Sequence, residues 1–180
     1  MSITAALLSL SLWAAAEPPK PRVTHLLAGV EGSRIEVGFD LRDAFDAAFR
    51  ERVESGLPTS IIYEMQLVRE RRMWFDRKVA RSELEVSATY DGVTMEYQVH
   101  FRLDGELVES RVVQEPAELE RAMTRIRNLT VLKAPADRRE RCQVRVRADL
   151  GSKTWLSLIP IRITTDWAVA DLPATGSANG

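Results

Sequence analysis

From Val93 to Leu103 the chain alternates without a break. Val93, Met95, Tyr97, Val99, Phe101 and Leu103 are apolar, and Thr94, Glu96, Gln98, His100 and Arg102 between them are polar. A period of two puts one row of side chains on a buried face and the other in water, which an extended strand can do and a helix cannot. Just upstream, Leu84, Val86, Ala88 and Tyr90 alternate in the same way up to Asp91-Gly92, a strong hairpin signal. A two-residue loop there predicts Tyr90 opposite Val93, Ala88 opposite Met95 and Val86 opposite Tyr97. A second Asp-Gly, Asp104-Gly105, turns the chain again into Leu107–Val113. The result is a meander of one-faced antiparallel strands, which needs a second layer to cover its apolar side.

The rest of the chain supplies that layer. Val23–Val30 and Arg34–Leu41 are short strands on either side of Glu31-Gly32-Ser33, with Ile35, Val37, Phe39 and Leu41 on one face. Asp43 opens a helical pattern in which Phe45, Phe49 and Val53 form the apolar stripe, and Gly56 with Pro58 ends it. Ile61, Tyr63, Met65 and Leu67 follow on one face of a strand that also carries Ile62 and Val68 on the other, so it is expected at the centre of a sheet. Glu115-Pro116 starts a second helix with Leu119, Ala122, Met123 and Ile126 as its stripe. Leu129–Leu132 reads as a short strand, Cys142–Ala148 as a one-faced strand, and Ile159–Ile163 as an edge strand, since Pro160 cannot donate to a ladder on both sides. These elements predict an antiparallel β-sandwich of roughly eight strands with two short helices. The alternative closure is an antiparallel barrel around a ligand.

A chain of 180 residues, 45% hydrophobic, suits one globular domain, expected over residues 22–170. Its 25 basic and 26 acidic residues nearly cancel, which argues against a general nucleic-acid or polyanion binder. A single cysteine, Cys142, excludes an internal disulfide, and with His25 and His100 it cannot build the usual Cys/His zinc sites. Residues 1–16 carry no charge and end in Ala14-Ala15-Ala16, a small-residue cleavage pattern, so they are expected to be a signal peptide. Residues 17–21 form a Pro-rich leader, and residues 171–180 are expected to be a disordered tail. No later stretch is long and apolar enough for a transmembrane helix. The expected location is therefore the periplasm or cell envelope.

Little in the sequence announces chemistry. It has no Gly-x-Ser-x-Gly elbow and no glycine-rich phosphate loop, and both histidines sit within predicted strands. Leu172-Pro173-Ala174-Thr175-Gly176 spells a sortase pentapeptide, but only Ser-Ala-Asn-Gly follows it. The one conspicuous cluster is a basic corner after the central strand: Arg69, Arg71, Arg72, Trp74, Asp76 and Arg77. Guanidinium groups bind carboxylates bidentately and stack on aromatic rings, which makes this a candidate interaction corner. No catalytic, cofactor-binding or metal-binding residues are assigned.

Several of these segments together resemble a known family. They are Ala47 and Phe49 in the first helix, Ser55-Gly56-Leu57-Pro58, Ile61–Leu67, Arg71-Arg72-Met73-Trp74-Phe75-Asp76, the Tyr90-Asp91-Gly92 turn with Tyr97-Gln98-Val99, and Trp167. In them the mature region resembles the uncharacterised exported bacterial family catalogued as domain of unknown function 4390. The resemblance implies a small envelope domain with no known cofactor, and it carries over no catalytic residues. The polar tail after Asp171 departs from it. The expected function is a non-enzymatic periplasmic or envelope domain that binds a protein partner or lipid through a sheet edge or apolar groove. The alternatives are a hydrophobic-ligand carrier with an enclosed cavity and, behind it, an enzyme whose site no motif reveals.

Overall fold

The computed structural model describes residues 19–69, 77–134, 141–155 and 159–173. In chain order the first half comprises β1 (Arg22–Glu31), β2 (Arg34–Arg42), α1 (Ala47–Glu54), β3 (Thr59–Arg69), β4 (Arg77–Asp91) and β5 (Glu96–Leu103). The second comprises β6 (Glu106–Val113), α2 (Pro116–Thr124), β7 (Arg125–Lys133), β8 (Cys142–Trp155), β9 (Ile159–Thr164) and β10 (Ala168–Asp171). A three-stranded antiparallel sheet has the order β1-β2-β7. The larger sheet runs β10-β8-β3-β4-β5-β6, with β9 paired to the distal part of β8. The two pack as a β-sandwich, and among the described residues neither closes into a barrel. The expected class holds, with ten described strands in place of roughly eight.

The core lies where period two placed it. Ile61, Tyr63, Met65 and Leu67 of β3 are fully buried, with Val86 and Ala88 of β4 and Val144, Val146 and Ala148 of β8 beside them. From the small sheet Ile35, Val37 and Phe39 of β2 close over this row. The Phe39 ring meets that of Tyr63 at 4.9 Å between centroids, in the tilted geometry aromatic pairs prefer. Strand β3 pairs with β4 on one side and β8 on the other, so it is the central strand expected.

The helices cover what the small sheet leaves open. Helix α1 starts later than the pattern suggested, at Ala47, because Asp46 and not Asp43 is its N-cap and accepts from Phe49 N at 2.8 Å. It ends as expected at Gly56, whose φ of +78° is the left-handed conformation that favours glycine. Helix α2 buries Leu119, Ala122 and Met123 and ends at Thr124. Ile126, expected as the last member of its stripe, is buried from β7 instead, which begins with no intervening loop. The Tyr63 hydroxyl donates to the Met123 carbonyl at 2.8 Å, satisfying one of the carbonyls that a helix C-terminus leaves unpaired. Burial pushes the Tyr63 phenol far up, so it stays protonated as a donor.

The two Asp-Gly turns behave differently. At Asp104-Gly105 both residues have positive φ, and Leu103 pairs with Glu106 across a two-residue loop. At Asp91-Gly92 the pairing is Asp91 with Glu96, Tyr90 with Tyr97, Ala88 with Val99 and Val86 with Phe101, across a four-residue loop. The predicted register is therefore wrong by four residues, each residue of β4 facing a partner four positions further along β5. The Asp91 carboxylate accepts from Val93 N at 2.8 Å, and Met95 N bonds Asp91 O at 2.8 Å, with Met95 in the left-handed region. That wider turn stacks Tyr90 on Tyr97 and leaves Val93 and Met95 exposed. An even shift keeps each side chain on its predicted face.

Strand β10 was not anticipated. It reaches Asp171, and Leu172 N bonds Cys142 O at 2.9 Å, so the first residues of the expected tail are held against β8. The rest of that tail, residues 174–180, lies outside the described residues, as do residues 1–18.

Replacing Tyr63 with Phe keeps the ring and removes the donor. Denaturant unfolding of Tyr63→Phe should show a loss of about 1–3 kcal/mol, the cost of a buried acceptor left unsatisfied. Unchanged stability would mean that the Met123 carbonyl has another partner.

Candidate functional site

The basic corner is only partly on view. Arg69 closes β3, half-buried and opposite Arg77 of β4 and Cys142 of β8. Arg71, Arg72, Trp74 and Asp76 lie outside the described residues.

The outer face of the large sheet pairs its charges internally. Arg147 of β8 donates to both oxygens of Glu64 on β3 at 3.0 Å, and its guanidinium lies 4.6 Å from the Trp167 ring centroid. Arg162 pairs with Asp149, and Arg102 stands 3.8 Å from Glu85. His100 meets Ser110 Oγ at 2.9 Å and is half-buried on its strand. Among the described residues no three His, Cys, Asp or Glu groups are placed to hold a metal ion.

A more unusual arrangement centres on Asp40. By period two it belongs on the wet face of β2, the middle strand of the small sheet, yet it is 6% exposed. Both neighbouring strands bulge at its level. In β1 the register shifts between Thr24 and Leu27, and His25 there has a φ of +50°. In β7 the shift lies opposite Val37 and Phe39, and Asn128 has a φ of +51°. Each bulge turns a side chain onto the carboxylate, as bulges near functional sites do. His25 Nδ1 lies 3.1 Å from Oδ2, and Arg127 Nη2 donates to Oδ1 while its Nη1 donates to the Phe39 carbonyl at 2.9 Å. Arg42 adds a second guanidinium 3.6 Å from Oδ2.

Burial alone would raise the Asp40 carboxyl. The hydrogen bonds from Arg127 and His25, with the charges of Arg127 and Arg42, outweigh that and hold it below the ordinary carboxylate range. An ionised carboxylate only accepts, so the His25 proton facing it sits on Nδ1. Thr24 Oγ1 is the hydroxyl beside the ring, 3.5 Å away, but it approaches the same nitrogen that Asp40 holds. That geometry orients an imidazole without giving Thr24 a base.

Asp40 also forms part of the wall of a cleft of about 360 Å3 between the end of β2 and α2. The segment Asp40–Phe45 makes one side, and α2 with the first residue of β7 makes the other. Asp43, with a φ of +60°, pairs with Arg22 at 3.3 Å, and Glu120 with Arg50 at 3.3 Å. By its sequence pattern His25 is a strand residue and nothing more. The sign of more was the Leu26-Leu27 doublet, which breaks the alternation: Leu27 is 73% exposed where a regular strand would bury one face.

At the far side of the large sheet β6 is an edge strand, paired among the described residues with β5 alone. It exposes Leu107, Val108 and Val112, each more than half accessible. A bulge at Val108 interrupts its first half, and in its second half the pair Glu109–Arg111 lies on the inward face, with Arg111 4.8 Å from the Phe101 ring centroid. Such devices blunt an edge against pairing, while residues 109–113 keep a regular register.

The fold and these surfaces define an antiparallel β-sandwich domain with a polar cleft between β2 and α2 and an edge strand at β6. The chain belongs to the family described as domain of unknown function (DUF4390), whose profile matches residues 20–170. No curated protein and no solved structure matches it.

The Asp40 cluster carries a pH dependence. A carboxyl whose folded pKa is depressed stabilises the fold fully above its unfolded value near 3.8, and that contribution is lost as pH falls through the lower folded value. Asp40→Asn is therefore expected to cost roughly 1–2 kcal/mol at pH 7, since the arginines around it are half-exposed. The difference from the native chain should shrink in urea titrations carried below about pH 4. A pH-independent difference would mean that the cluster acts through packing and not charge.

Proposed function

We propose that this chain is a non-enzymatic periplasmic or cell-envelope domain that binds an extended segment of a partner protein along β6. The observation that carries the reading is the exposed second half of that strand. Residues 109–113 are in register with β5 on one side only, and Val112 stands 62% exposed beside them. An added strand would gain main-chain hydrogen bonds there and cover Val112, which requires no special side-chain chemistry. Inward-facing Glu109 and Arg111 would remain paired with each other, so a partner meets no unpaired charge. The carrier alternative draws no support from the cleft, whose lining includes six charged side chains. Among the described residues no helix is long and apolar enough to cross a membrane.

A photo-crosslinking side chain at Val108 should capture one envelope protein that the same group at Arg34 does not. Adding Val112→Lys should remove the adduct while leaving the melting temperature in place. An adduct that survives Val112→Lys, or equal adducts from both positions, would overturn the edge reading.

The location rests on the uncharged run ending in Ala14-Ala15-Ala16. The mass of the chain recovered from the envelope fraction is expected to match a start at Glu17. Recovery of the intact chain from the cytosol would place it elsewhere.

A further inference from the structure

The cleft beside Asp40 has more positive charge than its wall composition suggests. Three acidic residues line it, and each is matched by a cation from outside the lining: Asp40 by Arg127, Asp43 by Arg22 and Glu120 by Arg50. Three arginines also line it, and these are not matched in the same way. Arg42 shares Asp40 with Arg127 and His25, at 3.6 Å. Arg121 reaches Glu118 only at 3.8 Å on an exposed helix face, a pairing worth little in water. Arg125, directly across from Asp40 in the β2–β7 pairing, is exposed and has no ion pair among the described residues.

We propose that this cleft is a binding site for a phosphate-bearing anion, held by Arg42, Arg121 and Arg125. Guanidinium groups suit the tetrahedral oxyanion because each offers paired donors that stay charged at any ordinary pH. A volume of about 360 Å3 falls within the range of small-molecule sites and fits a phosphate with a modest substituent. The ionised Asp40 does not oppose such a ligand, because its two oxygens are already engaged by Arg127 and His25. Its role is to hold the strand ends that present Arg42 and Arg125. The group could be that of a free phosphate ester or of a lipid headgroup, which share this chemistry. The site stands apart from β6 and does not depend on the edge-strand reading.

Pyrophosphate, titrated into the folded chain at low salt and followed by amide chemical shifts, tests it. Saturable shifts are expected at Arg42, Arg121, Arg125 and their neighbours, weakened about tenfold or more by Arg125→Glu. Arg34→Glu makes the same charge change at the other end of β2 and should leave the affinity near that of the native chain. Flotation with phosphatidylcholine vesicles, with and without phosphatidic acid, separates the two sources. Retention on the acidic vesicles that Arg125→Glu abolishes identifies a headgroup, and pyrophosphate binding without retention identifies a soluble phosphate. No saturable shift and no retention, or binding that Arg34→Glu weakens as much as Arg125→Glu does, overturns the proposal.

Discussion

The bond from Tyr63 to the Met123 carbonyl ties the two layers of this domain together. Tyr63 sits in the most buried row of the central strand, and its hydroxyl has to find a partner away from water. The end of α2 has the opposite need, since its last carbonyls have no amide to accept from. One hydrogen bond answers both. Its consequences extend further because α2 passes into β7 without a loop. Holding Met123 fixes where Arg125 and Ile126 enter the small sheet, opposite Asp40 and Phe39. The register that builds the Asp40 cluster and the cleft thus depends on a phenol in the opposite sheet.

Asp40 shows what a strand gives up to build such a cluster. Two bulges interrupt the ladders on either side of β2, and His25 and Asn128 both adopt left-handed backbone. Each such residue costs on the order of 1 kcal/mol or more, less for Asn than for most. The return is a carboxylate that accepts from both neighbouring strands, with its charge matched by arginines. The same device has a different effect at β6. There the bulge at Val108 limits where another strand could add, to the regular stretch 109–113. In one sheet a bulge gathers charge, and in the other it restricts an edge.

Which parts of this were legible in the sequence follows from which signals are local. Period two identified the faces of β2, β3, β4, β5 and β8, because alternation is a property of each strand alone. Gly56 and Pro58 marked the end of α1 for the same reason. The Asp91-Gly92 register was not legible, because an aspartate that can start a two-residue loop can also use its carboxylate to hold a wider one. Asp104-Gly105 has the same letters and makes the tight turn, with its own carboxylate bonded to Ser82 and Glu83 N across on β4. Tertiary partners decide between them. Ile126 fits a helical stripe by spacing, but packing assigned it to a strand. The His25–Asp40–Arg127 cluster joins residues 15 and 87 positions apart, and no spacing rule spans that distance.

The near-zero net charge misleads for a similar reason. A balance of 25 basic and 26 acidic residues is a sum over the surface, and anion recognition depends on where that sum is taken. On the outer face of the large sheet the charges cancel in place, through Arg147 with Glu64 and Arg162 with Asp149. At the cleft the lining acids pair with Arg22, Arg50 and Arg127, which are not part of the lining, and Arg125 has no ion pair among the described residues. Both regions contain acids and bases in similar numbers. What differs is whether the partner of each acid belongs to the same surface, as on the sheet, or lies outside it, as at the cleft. A composition that argues against a general polyanion-binding surface is therefore compatible with a small site for one anion, provided the acids lining it pair with cations outside the lining.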